Sequence, residues 1–157
     1  MSEPLAFFLT WTTYGTWLPG DERGWVDDRL RQAAPGLRQS AEEKLRQAPI
    51  VLTPNQRSVV ERTVREVCEH NGWRLWAVNC RSNHIHVVVT AKDKSPEQVM
   101  NTLKSWCSRR LNESSDSGPK QRWTRHGSTR YLNDESSLES AIEYVVNGQE
   151  GTRFTAQ

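Results

Sequence analysis

Apolar and polar positions fall into blocks along this chain, and the period within each block predicts an element. Leu5–Thr12 (LAFFLTWT) is rich in aromatic and β-branched residues and is closed by Gly15, Pro19 and Gly20, which predicts a strand. Residues 19–52 are charged and weakly periodic, with Pro35, Gly36 and Pro49. They read as an insertion before the first long helix, holding at most a short helix around 40–47. Thr53 as N-cap and Pro54 at the first helical position open a helix. Val60, Val64 and Val67 give that helix one apolar face, and Asn71–Gly72 ends it. The runs WRLWAVNC (73–80) and HIHVVVTA (84–91) predict two strands joined by Arg81–Ser82–Asn83.

A second helix starts at Ser95–Pro96, where Gln98 completes a capping box. Its expected buried stripe is Val99, Leu103, Trp106 and Leu111, and Arg109–Arg110 suit its C-terminal dipole end. Residues 113–120 read as a loop, and 121–132 as an irregular strand broken at Gly127. A third helix is expected from about Ser136, capped with Glu139, to Asn147–Gly148, followed by a loose tail after 149. The order of elements suits an α+β fold. The expectation is a ferredoxin-like split βαβ sandwich, an antiparallel sheet with two helices on one face, plus a C-terminal helix.

The 157 residues are enough for a single domain spanning 1–157. Hydrophobic residues make up 35% and charged residues 25%, which reads as a soluble, globular chain on the polar side. No apolar run approaches the ~18–20 residues that span a bilayer, and Met1–Pro4 leads straight into a strand-like run with no basic n-region, so no membrane partner and a cytoplasmic location are expected. Cys68, Cys80 and Cys107 form no C-x-x-C pair and read as buried packing residues. The net charge of +2 is unevenly spread: residues 51–131 hold 14 Lys/Arg against 7 Asp/Glu. Such a basic middle is either a solvated surface or a nucleic-acid footprint.

The sharpest chemical feature is His84–Ile85–His86. In a strand the two histidines share a face, about 7 Å apart along the backbone, while Ile85, Val87 and Val89 point into a core under the two helices. Paired imidazoles on an open sheet face can hold a divalent metal. The third helix is left to cover that face with Leu138, Ala141, Ile142 and Val145. Tyr144 falls on the flank of this stripe, from which its phenol can reach a metal on the histidines.

Ser82–Asn83–His84–Ile85–His86–Val87–Val88–Val89 resembles the N-H-[VI]-H-[LV] strand of HUH-type single-strand DNA transposases. The closer resemblance is to REP-associated tyrosine transposases and their insertion-sequence relatives (the IS200-like group). Ala141–Ile142–Glu143–Tyr144–Val145–Val146–Asn147 resembles their nucleophile helix. The likeness extends to Leu103–Lys104–Ser105 through Arg109–Arg110–Leu111, to Trp123 and to the opening strand. Family members often carry Pro where Ser82 stands and Asn four residues after the Tyr, where this chain has Gly148. The third metal ligand is therefore open between Gln149 and Asn147, with His126 more distant.

The resemblance implies a metal-dependent endonuclease and strand transferase. It cleaves hairpin-associated single-stranded DNA through a 5′-phosphotyrosine on Tyr144, with Mg²⁺ or Mn²⁺ on His84 and His86. Tyr14 and Tyr131 are the other tyrosines. Because ligating histidines must be neutral, activity is expected to fall as pH drops toward ~6.5. Lys104, Arg109, Arg110, Arg122, Arg125 and Arg130 are candidate phosphate contacts, and Trp123 a base-stacking residue. The protein is expected to act as a monomer or homodimer. A catalytically inactive or domesticated hairpin binder of the same fold is the alternative. A zinc site of Cys80, His84 and His86 is a third reading, weakened because Cys80 lies in the neighbouring strand and no fourth ligand is evident.

Overall fold

The computed structural model describes residues 3–16, 49–113 and 121–147. The short helix expected around 40–47, most of the 19–52 insertion, the loop at 114–120 and the tail lie outside the described residues. The described elements are β1 (Ala6–Thr13), α1 (Pro54–Asn71), β2 (Arg74–Cys80), β3 (His84–Thr90), α2 (Pro96–Glu113), β4 (Trp123–Leu132) and α3 (Glu135–Asn147). The strands form one antiparallel sheet in the order β2-β3-β1-β4, so the fold is mixed α+β with three helices among the described residues.

Local sequence explains where the helices begin. The Thr53 hydroxyl accepts from the Gln56 backbone N–H at 3.2 Å while Gln56 Oε1 accepts from the Thr53 N–H at 2.9 Å, a reciprocal box that heads α1. Ser95 and Gln98 repeat it at α2 with the same distances. Gly72 closes α1 at φ 71°, a left-handed conformation that glycine adopts without a Cβ clash. The head of α3 differs from expectation. Asp134, not Ser136, is its cap, with Oδ1 accepting from the Ser137 N–H at 2.8 Å. A carboxylate there satisfies an orphan donor and also meets the positive end of the helix dipole.

The sheet is apolar on both faces. Phe7, Leu9 and Trp11 of β1 and Ile85, Val87 and Val89 of β3 pack with Val60, Val64 and Val67 of α1 and Val99, Leu103, Cys107 and Leu111 of α2. Ala6, Phe8, Ala77, Val88 and Leu132 pack on the other face with Leu138, Ala141 and Val145 of α3. Central β1 is therefore buried at every position. Trp106 departs from the expected stripe of α2: it is 38% exposed, with the Arg109 guanidinium 4.8 Å from its ring centroid. Cys107 is buried as expected, in the row of Val99, Leu103 and Cys107, four residues apart, that enters the core.

The expected break in the fourth strand is a pairing irregularity. β4 runs unbroken, and its register against β1 shifts between Trp11 and Thr13. At Gly127 the chain is tightly approached: a Cβ would stand 2.6 Å from the Thr10 carbonyl oxygen and 2.8 Å from Met100 Sδ. Glycine marks a close approach here rather than an interruption.

Candidate active site

Strand alternation places His84 and His86 on the sheet face away from α1 and α2, since intervening Ile85 is wholly buried in the core beneath those helices. In register, His86 stands opposite Thr10 of β1 and Asn79 of β2, and His84 opposite Thr12. Across this face lies α3. Its Leu138, Ala141 and Val145 seat it on Phe8, Ala77 and Val88, which turns half-buried Tyr144 toward the histidines.

The three rings converge. The ring centroids of His84 and His86 are 4.9 Å apart, and those of His86 and Tyr144 are 5.4 Å apart in an edge-to-face arrangement at 73°. Phe8 packs edge-on against His86 at 5.6 Å and lies 6.0 Å from Tyr144, giving the cluster an apolar floor.

Each imidazole is held through Nδ1. The Nδ1 of His84 donates to Asn83 Oδ1 at 2.8 Å, because a carboxamide oxygen only accepts; the lone pair of His84 is then on Nε2. The Nδ1 of His86 lies 2.8 Å from Thr10 Oγ1. His86 is 6% exposed, and burial, followed by the charges of His84 and Arg81, lowers its pKa to about 3. Burial therefore favours the neutral form of this ring below the usual imidazole range.

The two imidazoles stand side by side, each with a hydrogen-bond partner at Nδ1. Among the described residues, no group of three His, Cys, Asp or Glu side chains completes a metal site. Of the candidate third ligands, Asn147 is exposed at the end of α3, one turn beyond Tyr144, and His126 is exposed on β4. Gln149 lies outside the described residues. Cys80 is buried with α1 and α2, on the opposite side of the sheet from the histidines, which removes the three-ligand zinc reading. All three cysteines are buried free thiols, and burial pushes Cys68 and Cys80 up to about 12.

The candidate DNA contacts divide by layer. Lys104 (8% exposed) donates from Nζ to the carbonyls of Thr124 at 3.0 Å and Arg125 at 3.4 Å. Arg122 (3% exposed) donates to Asn112 Oδ1 at 3.0 Å and to the Leu111 carbonyl at 3.5 Å. Trp123 is buried edge-on against Trp11, and its Nε1 donates to the Lys104 carbonyl at 2.9 Å. These three side chains are buried where β4 and the residue before it meet α2. Arg109 and Arg110 are exposed on α2, on the far side of the sheet from the histidines, with Arg110 3.6 Å from Glu66. Arg125 and Arg130 are exposed on β4. Arg130 stands opposite Phe8 in register and so faces the histidine side.

Thr10, Phe8 and Asn79 were not singled out in the sequence. Strand alternation holds the signal for one of them: Thr10 and Thr12 are polar positions, two apart, in a largely apolar strand, and both fall on the histidine face.

The family described as "Transposase IS200 like" matches residues 44–147. No curated protein matches the chain in sequence. Among solved structures, a REP-associated tyrosine transposase bound to a REP hairpin aligns with TM-score 0.55 at 11% identity. That alignment covers 92% of this chain and 66% of that protein, so the chain spans about two thirds of its length. A candidate transposase from Deinococcus radiodurans R1 aligns with TM-score 0.49 at 12% identity over 94% of this chain and 93% of that one.

Proposed function

Because the chain belongs to the IS200-like transposase family, we propose that it is a metal-dependent endonuclease and strand transferase acting on hairpin-associated single-stranded DNA. The observation that carries this reading is the convergence of His84, His86 and Tyr144 on one sheet face. The ferredoxin-like split βαβ sandwich is the scaffold proposed for it, and the strand order and the helix pair on one face support that arrangement. The hairpin substrate rests on the family, on the hairpin carried by the structural relative and on the basic middle of the chain.

His84 and His86 would hold the cation, with a third ligand from the end of α3 or the residues after it. When bound, a divalent cation stabilises the negative charge that develops on the scissile phosphate. Tyr144 attacks the phosphorus through its phenolic oxygen, and its proton passes to solvent. The bond to the 3′ oxygen breaks, that oxygen takes up a proton, and the 5′ phosphate remains on Tyr144. Storing the bond in this way lets a strand be rejoined without a nucleotide cofactor. Arg130 faces the reacting side and can meet the backbone of a bound strand.

The test is a labelled single-stranded hairpin incubated with the protein and Mn²⁺ or Mg²⁺, then run on a denaturing gel. A covalent adduct is expected with the wild type, Tyr14→Phe and Tyr131→Phe. Tyr144→Phe should lose it entirely while binding the hairpin about as well. An undiminished adduct from Tyr144→Phe overturns the assignment. Hairpin binding with no adduct from the wild type supports the non-catalytic binder instead.

A further inference from the structure

We propose that Thr10 is a positioning residue for His86, accepting a hydrogen bond from Nδ1–H so that Nε2 carries the lone pair that meets the cation. The inference rests on the metal-dependent reading above. Thr10 lies on central β1, directly opposite His86, with its hydroxyl oxygen 2.8 Å from Nδ1. Both side chains are buried, Thr10 at 5% exposure, so water is poorly placed to substitute for the missing partner. A neutral imidazole has one N–H, and whichever nitrogen carries it cannot ligate. A partner fixed on Nδ1 therefore decides which nitrogen is offered.

The neighbouring histidine shows the same arrangement with an unambiguous acceptor, Asn83 Oδ1 at 2.8 Å from its Nδ1. With Thr10 as acceptor, both rings adopt the Nδ1–H tautomer, and both carry the ring lone pair on Nε2, the nitrogen that would meet a cation. Ring rotation is restricted as well, since Phe8 and Tyr144 pack edge-on against His86 from other sides. The hydroxyl thus selects the nitrogen, and the aromatic contacts hold the plane. Outer partners of this kind commonly change metal affinity by about 10–100-fold when removed.

Three proteins test the role: the wild type, Thr10→Val, which keeps the shape and loses the oxygen, and Thr10→Ser, which keeps the oxygen. Two measurements are made on each. The first is imidazole ¹⁵N NMR of the chelator-treated protein, which reads the His86 tautomer without metal or activity. The second is Mn²⁺ affinity by calorimetry. The wild type and Thr10→Ser are expected to show Nδ1–H at His86, and Thr10→Val to shift toward Nε2–H and bind Mn²⁺ about 10–100-fold more weakly. An Nε2–H tautomer in the wild type, or equal Mn²⁺ affinity in Thr10→Val, overturns the role of Thr10 alone. Failure of the wild type to bind Mn²⁺ overturns the metal-dependent function and this role together.

Discussion

His86 illustrates how far burial moves one residue's chemistry. Its pKa falls from the usual 6.5 to about 3, chiefly through burial. The folded protein then binds fewer protons than the unfolded chain wherever free histidine is charged. Stability from this group is fully present above about pH 6.5 and is lost as pH falls through the window toward 3. Across that window the loss is on the order of 3–5 kcal/mol. Urea unfolding of chelator-treated protein between pH 7 and 4 should show the decline, and His86→Gln, with nothing to titrate, a shallower one. Equal slopes for the two proteins would count against it. Lys104, Arg122 and Trp123 make a related point. A cation or aromatic in a basic stretch reads as a nucleic-acid contact until its depth is known, and each of these is bonded inside the fold.

Among the elements, β4 departs most from its sequence pattern. Gly127 looks like a strand breaker, yet the strand runs through it because β1 and α2 close on the position where a side chain is missing. Gly127→Ala would set a methyl group against the Thr10 carbonyl, a backbone atom with little freedom to move, and against the more pliable Met100 thioether. The expected cost is about 1–3 kcal/mol in equilibrium unfolding, typical of overpacking. Stability within a few tenths of wild type would show that the approach is looser than the geometry indicates. The same variant should weaken Mn²⁺ binding slightly, because Thr10 is the residue displaced. Capping chemistry was easier to read at α1 and α2 than at α3. Ser136 and Glu139 have capping-box spacing, but the helix starts earlier, at Glu135, with Asp134 as the cap accepting from the Ser137 N–H.

At the scale of the molecule, sheet layering sorts the basic residues. Arg130 shares a side with His84, His86 and Tyr144, whereas Arg109 and Arg110 lie on the opposite layer. Arg130→Ala is therefore expected to weaken hairpin binding and reduce the log–log salt slope by about 1, with a smaller effect from Arg109→Ala. Equal slopes for both variants would place the DNA path elsewhere. The elements, two of the three caps, the buried cysteines and the shared face of His84 and His86 were legible in the chain, because turns, caps and alternation depend on residues a few positions apart. The resemblance also pointed to Tyr144, whose ring stands against His86. Only the tertiary structure decided that Thr10 lies opposite His86, that Cys80 turns away from it and that Trp106 is exposed. Those outcomes depend on strand register and on helices meeting a sheet, contacts between residues far apart in sequence that no local period encodes.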